Sequence, residues 1–275
     1  MTADRRDPDP IQISEAELGA MTAAADEMHH ASLPSLRDAI DEWKQLHHDA
    51  RAGADADAKV STGTNRRRFL IGSGVALGGL ALAACGSSSK SRATAIAPPT
   101  SHRANDGLIG DLAIAAVAAG LENLMVSTYL DAAAIATTGY IGKVPPSVVA
   151  FTKTVAQHHQ AHADAWNAIL TGAGKRKVTG VDRSVKTEVF DPAYAKVREV
   201  GDFATLALEL ENVAAATYLN AIGVIAGKPV LTTAARIQPV EMQHTAILNF
   251  VIGKYPVPES FATTEGARQP ADVIG

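Results

Sequence analysis

Only one of the 275 residues is a cysteine. The chain can therefore form no intrachain disulfide and no cysteine-based metal cluster, and Cys85 needs an explanation of its own. Aromatic residues are scarce as well, at 5% against 47% hydrophobic. Much of the apolar content is alanine, which favours helix and lets helices approach closely, so an all-α fold is expected. No charge of one sign dominates: the formal net charge is -4. There is no basic field for nucleic acid, and no zinc-knuckle or aromatic RNA-binding motif, which argues against a nucleic-acid partner. A composition shift near residue 100 divides the chain into one folded C-terminal domain and a set of N-terminal appendages.

The sequence has one continuous apolar run, from Ile71 to Ala84, and it is too short for a comfortable membrane span. It has the length of a signal-peptide apolar region. Asn65-Arg66-Arg67-Arg68-Phe69-Leu70 lead into it, and this stretch resembles a twin-arginine export motif with Arg66 and Arg67 as the pair. Asn65 stands where Ser or Thr is common, and Ile71 where Lys is common. The run ends in Leu82-Ala83-Ala84-Cys85, which resembles a lipobox. That resemblance implies lipid attachment to the Cys85 thiol and cleavage on its N-terminal side. Each buried methylene of a lipid chain adds roughly 0.8 kcal/mol, so two or three chains hold a protein firmly at a membrane. Residues 86–104 are rich in serine with paired prolines at Pro98 and Pro99, the composition of a flexible linker. The implied partners are the twin-arginine translocase, the lipoprotein-processing enzymes and, through the lipid anchor, the membrane. The implied location is the extracytoplasmic face of the cell membrane. The twin-arginine route usually carries folded proteins, which hints at metal loading before export.

Residues 1–64 are longer than a signal requires. Either Val60 marks a start encoded by GUG and residues 65–85 have an ordinary short leader, or residues 1–64 form a cytoplasmic helical extension. Apolar residues Leu18, Met21, Ala25 and Met28 fall at helical spacing, and Leu36, Ile40, Trp43 and His47 repeat it after Ser32-Leu33-Pro34. Untranslated DNA would rarely read that way, so a helical hairpin broken at Pro34 is the expectation. Glu27 and His30 form an isolated E-x-x-H with His29, His47 and His48 nearby; without matching carboxylates these read as solvated helix residues.

From residue 105 to 256 four long helices are expected, at about 106–138, 147–172, 202–225 and 230–252, with a polar connection at 174–194 and a strap-like tail at 257–275. Pro239 should bend the fourth. The first and third repeat each other without gaps: Leu121-Glu122-Asn123 and Thr128-Tyr129-Leu130 align on Leu210-Glu211-Asn212 and Thr217-Tyr218-Leu219. The second and fourth correspond as well, His159-x-x-His162 falling on Glu241-x-x-His244 and Asn167 on Asn249. Two copies of one helical hairpin therefore build one bundle.

In this register the chain resembles the ferritin-like superfamily, most closely its bacterial exported branch, over about 150 residues. The resemblance implies a four-helix bundle with one Glu on each of two helices and a Glu-x-x-His on each of the other two, around iron or manganese ions. Residues three apart share a helix face, so a carboxylate and an imidazole can reach the same ions. Carried over residue by residue, Glu122 and Glu211 match the single-glutamate positions, Glu241 and His244 the fourth-helix pair, and His162 the second-helix histidine. His159 departs from the pattern, standing where the second bridging carboxylate belongs.

That departure leaves three negative charges against the four positive charges of two divalent ions. A neutral imidazole offers one lone pair and cannot bridge two metals as a carboxylate does. Either a mixed, His-rich site for one or two divalent ions survives, or the buried polar residues only hydrogen-bond one another. Three glutamates in an Ala-rich core are costly to keep ionised without a cation or a partner. Glu209, two residues before Glu211, reads as a rim residue, and Tyr129 and Tyr218 as core packing with satisfied hydroxyls. Three functions follow: a lipid-anchored metal-binding protein in iron handling or oxidant defence, a non-catalytic envelope module with a degenerate site, and an oxidase with an organic substrate.

Overall fold

The computed structural model describes residues 13–60 and 108–269. The export-signal residues Arg66 and Arg67, Cys85 and the linker lie outside them. The chain divides into two compact units, residues 1–45 with 102–275, and residues 46–101. The regular secondary structure among the described residues is all helical, with no strand among them.

In the first unit, α2 (Asp111–Ile135) and α3 (Pro146–Gly172) form one hairpin, and α6 (Val200–Ile222) and α7 (Lys228–Val251) form the other. Helix α2 packs on α6 and α3 on α7, which closes the four into a bundle. Buried residues run almost unbroken from Ala113 to Glu122, so α2 is covered on all sides. The whole helix, Asp111–Ile135, is also long and apolar enough to cross a membrane, but most of its apolar stretch is inside the bundle. Proline opens α3 at Pro146 and α7 at Pro229, where a missing N–H costs nothing. The carboxylate of Asp111, at the start of α2, accepts from the amides of Ala226 and Gly227 at 3.1 and 2.7 Å, tying the first helix to the α6–α7 turn. The turn after α2 uses Gly139 and Gly142 at φ 76° and 80°, a left-handed backbone that favours glycine. Helix α7 continues through Pro239.

The polar connection expected at 174–194 contains α4 (Arg183–Val185), a π-helical turn at Lys186–Phe190 and α5 (Asp191–Tyr194). Asp182 caps it, accepting from Val185 N at 3.0 Å, and Arg268 of the tail reaches the same carboxylate at 3.3 Å. The tail is thus held by Arg268, whose amide also donates to Thr217 Oγ1 at 2.9 Å.

The N-terminal segment departs from expectation. There is no hairpin: α1 is one helix, Glu15–Val60, with Pro34 inside it. An interior proline costs about 3 kcal/mol. What outweighs it is an apolar stripe that stays in phase across the proline, with Leu18, Thr22, Ala25 and His29 buried before it and Leu36, Ile40 and Trp43 after it. The seven-residue spacing keeps one face on a neighbour. The stripe passes through His29, 3% exposed, rather than Met28, 51% exposed. Up to Gln45 this helix belongs to the first unit and lies along the bundle; beyond it, α1 belongs to the second. Trp43 anchors the packed part, its indole N–H donating to Ile169 O at 2.9 Å. It approaches Gly172 and Gly227 so closely that a Cβ there would lie 3.3 and 3.5 Å from the indole.

Two apolar clusters fill the unit. One gathers Leu121, Leu124, Met125, Phe151, Leu210 and Leu248; the other gathers Ala115, Ala119, Trp166, Ile169, Val230 and Ile237. Completely buried polar side chains interrupt this apolar interior on each of the four bundle helices.

Candidate metal centre

Each bundle helix brings a polar side chain to the layer between the two clusters. Helix α2 contributes Glu122, α3 contributes His159 and His162, α6 contributes Glu211, and α7 contributes Glu241 and His244; none is more than 1% exposed. The i, i+3 spacing places both residues of α3, and both of α7, on the inward face. All six residues named from the sequence meet in this layer. Glu209 is on the surface.

The six form two overlapping sets, each with ligand atoms within 4.8 Å of one another: Glu122, His159, His162 and Glu241, and His159, Glu211, Glu241 and His244. Glu241 and His159 belong to both. In the first set His162 Nδ1 is 2.9 Å from Glu241 Oε1 and 3.6 Å from Glu122 Oε2. In the second, His244 Nδ1 is 3.4 Å from Glu211 Oε2 and 3.7 Å from Glu241 Oε2. These contacts lack hydrogen-bond geometry. His162 Nδ1, His244 Nδ1, Glu211 Oε2 and both oxygens of Glu241 are buried with no hydrogen-bond partner. Unpaired carboxylate oxygens in a buried core are costly, and ligand atoms gathered within 4.8 Å of one another without hydrogen bonds between them suit a shared cation. Two imidazoles and carboxylates are also a sound donor set for iron, manganese or zinc. The residues present therefore fit a divalent metal.

The remaining carboxylate oxygens are engaged. His159 Nδ1 is 2.7 Å from Glu122 Oε2, and its Nε2 is 3.1 Å from Glu211 Oε1. Burial alone would push His159 down, but the Glu241 and Glu211 carboxylates outweigh it and hold the imidazole well above the usual histidine range. As an imidazolium it donates to both carboxylates from the middle of the site. The tyrosines are more than core packing: Tyr129 donates to Glu211 Oε1 at 2.5 Å, and Tyr218 donates to Glu122 Oε1. Trp166 Nε1 donates in turn to the Tyr218 hydroxyl at 2.8 Å. Burial and the adjoining carboxylates push both phenols well above their usual range, which keeps them donors.

Electrostatics separates the remaining histidines into two groups. Burial would lower His162, but Glu122 and Glu241 raise it to about 9. His244 is likewise raised, by Glu211 and then Glu241, against its burial. Burial would raise Glu122, but His162 and His159 bring it to about 2. Behind this layer, burial and neighbouring histidines lower His158 to about 2 and His29 to about 3, so both are neutral. His158, next in sequence to His159, points away from it: its Nδ1 is 3.0 Å from His244 Nε2, and its Nε2 is 3.1 Å from Asp26 Oδ1 on α1. His29 stacks on it with ring centroids 4.1 Å apart. The expectation that His29 is solvated is thereby corrected, whereas Glu27 and His30 are exposed as expected. No motif pointed to His158 or Asp26. Their signal was limited to the doublets His29-His30 and His158-His159, which spacing alone does not pair.

Comparison with known protein families matches residues 94–254 to the ferritin-like domain. No curated protein and no solved structure gives a significant match.

Proposed function

The chain belongs to the ferritin-like domain family, and from that premise we propose that its buried cluster holds one or two divalent metal ions, iron or manganese. The observation that carries this reading is the set of buried, unpartnered ligand atoms on His162, Glu211, Glu241 and His244. Glu122 and His162 would serve one position, Glu211 and His244 the other, with Glu241 shared between them. Iron or manganese held there would supply one-electron redox chemistry with small oxidants. The protein residues keep the site dry, and Tyr129, Tyr218 and His159 fix the carboxylates in place. Charge sets the occupancy: one divalent ion and the His159 imidazolium together neutralise three carboxylates, and a second ion requires that imidazolium to give up its proton.

In the same reading, Arg66 and Arg67 direct export and Cys85 carries the lipid, so the bundle works at the outer face of the cell membrane in iron handling or oxidant defence. The order of arginine pair, apolar run, small residues and cysteine supports this part. One observation favours the alternative of a non-catalytic envelope module, namely that His159 already satisfies an oxygen on each of Glu122 and Glu211. It leaves the other oxygen of Glu211 and both of Glu241 without a hydrogen-bond partner, facing only His162 and His244 of the same cluster.

Metal analysis of the full chain after equilibration with manganese or ferrous iron decides between them. The expected result is about one or two equivalents retained by the wild type, and a loss in Glu241→Ala, which removes the shared ligand. A folded wild-type protein that retains no metal overturns the reading in favour of the envelope module.

A further inference from the structure

The part of α1 up to Gln45 runs the length of the bundle, its apolar residues matching the two clusters in order. Leu18 and Ala25, with Ile13 just before the helix, join the first cluster, and Leu36, Ile40 and Trp43 the second. Between them, at the depth of the metal layer, α1 presents Asp26 and His29. Asp26 Oδ1 faces His158 Nε2 at 3.1 Å, and His158 Nδ1 faces His244 Nε2 at 3.0 Å. His29 covers the His158 ring and lies 5.3 Å, centroid to centroid, from His162.

We infer that α1 supplies the outer shell of the metal centre, with Asp26 and His158 acting as positioning residues that orient His244. This rests on reading the cluster as a metal centre. The chemistry is a choice of tautomer. A carboxylate only accepts, so Asp26 requires the proton of a neutral His158 on Nε2. His158 Nδ1 is then a lone pair and accepts from His244 Nε2–H. When His244 gives up its other proton to bind metal, its lone pair is left on Nδ1, the nitrogen facing Glu211 and Glu241. A ligating histidine whose second nitrogen is held in this way binds metal in one orientation, and losing such a partner costs about 10- to 100-fold in affinity. His29 adds a steric constraint, since its stacked ring leaves His158 no room to tilt.

The chain that folds around the ion is therefore the one still carrying residues 15–45. Cleavage before Cys85, if it occurs as proposed above, would break the covalent link between this outer shell and the bundle.

The test uses the full-length chain loaded with cobalt(II), whose absorption reports the coordination, and follows its release to a chelator. Asp26 is 39% exposed at its side chain and on one helix, so Asp26→Ala leaves the core intact. It should speed cobalt release about 10-fold or more, and Asp26→Glu should restore much of the wild-type rate. Trp43→Ala, which loosens α1 at its far end without touching the site, should act in the same direction. A second readout needs no metal: the imidazole ¹⁵N signals of histidine-labelled, metal-free protein report the tautomer of His158, and Asp26→Ala should shift it. A wild type that takes up no cobalt defeats the metal-centre reading, while the ¹⁵N signals still decide on the Asp26–His158–His244 chain. An unchanged His158 tautomer, or unchanged release from a chain that does bind cobalt, overturns the inference.

Discussion

The Tyr218 hydroxyl donates to Glu122, across the bundle from the helix that carries it, and Tyr129 does the reverse to Glu211. Each tyrosine lies seven residues after the glutamate of its own helix, yet serves the glutamate of the other. The internal repeat is therefore expressed in the hydrogen bonds as a crossed pair, and each bond ties one hairpin to the other at the depth of the site.

Tyr218→Phe should for this reason weaken the whole centre. It removes a donor from a completely buried carboxylate oxygen, a loss of about 1–3 kcal/mol. It also strands the indole N–H of Trp166, which donates to the same hydroxyl. Tyr129→Phe removes one bond without that second loss, so Tyr218→Phe should lower the melting temperature further than Tyr129→Phe. Thermal melts of the two variants check the order.

The pH dependence of the metal-free protein follows from the opposed shifts of its histidines. His162 is raised to about 9, so its contribution is present below pH 6.5 and is lost as pH rises through 9, about 3 kcal/mol for this group alone. His158 and His29 are lowered to about 2 and about 3, so the unfolded chain takes up protons that the folded chain does not as pH falls below 6.5. Stability of the metal-free bundle should therefore peak near pH 6.5 and fall on both sides. Metal needs the deprotonated ligands and competes better as pH rises, so loaded protein should not lose stability between pH 6.5 and 9. Denaturant midpoints at pH 5, 6.5 and 9, with and without manganese, give the comparison.

The bundle and its inward glutamates were legible in the sequence because both depend on local spacing: a gapless repeat, and residues three apart on one face. Proline at 34 was misread because a local helix breaker was weighed without the tertiary face that overrides it. Leu36, Ile40 and Trp43 resume the stripe of Leu18 and Ala25 in phase, and that phase was present in the sequence. The role of His29 was not legible, since it depends on a stacking partner in α3, 129 positions away, that no periodicity identifies. The tyrosines were placed on the right faces but without their acceptors, which lie on the other hairpin.

Export can be separated from folding by substitution. Cys85→Ser should abolish lipid labelling, because the chain has no other thiol. Arg66→Lys with Arg67→Lys should retain the protein inside the cell with its bundle folded, since a translocase that reads the pair does not accept lysine at both positions. Fractionation with labelled palmitate measures both, and undiminished labelling of Cys85→Ser would count against the lipoprotein reading.

His159 is where the sequence leaves its family's pattern, and changing it to glutamate sets the metal and the imidazolium against each other. In the metal-free protein, His159 donates to Glu122 and Glu211 and supplies the positive charge at the centre of three carboxylates. His159→Glu removes that charge and adds a fourth carboxylate to a site with no exposure. Without metal the variant should be destabilised by several kcal/mol unless it takes up a proton. With metal the balance reverses: four carboxylates match the charge of two divalent ions, and the new side chain would supply a further carboxylate ligand to them. A ligand that binds only the folded state raises the melting temperature in proportion to its affinity. The variant should therefore melt below wild type in chelator and gain more than wild type from manganese or ferrous iron. A variant that is destabilised in chelator and gains nothing from either metal would refute the metal centre and leave the cluster as a hydrogen-bonded core held together by His159.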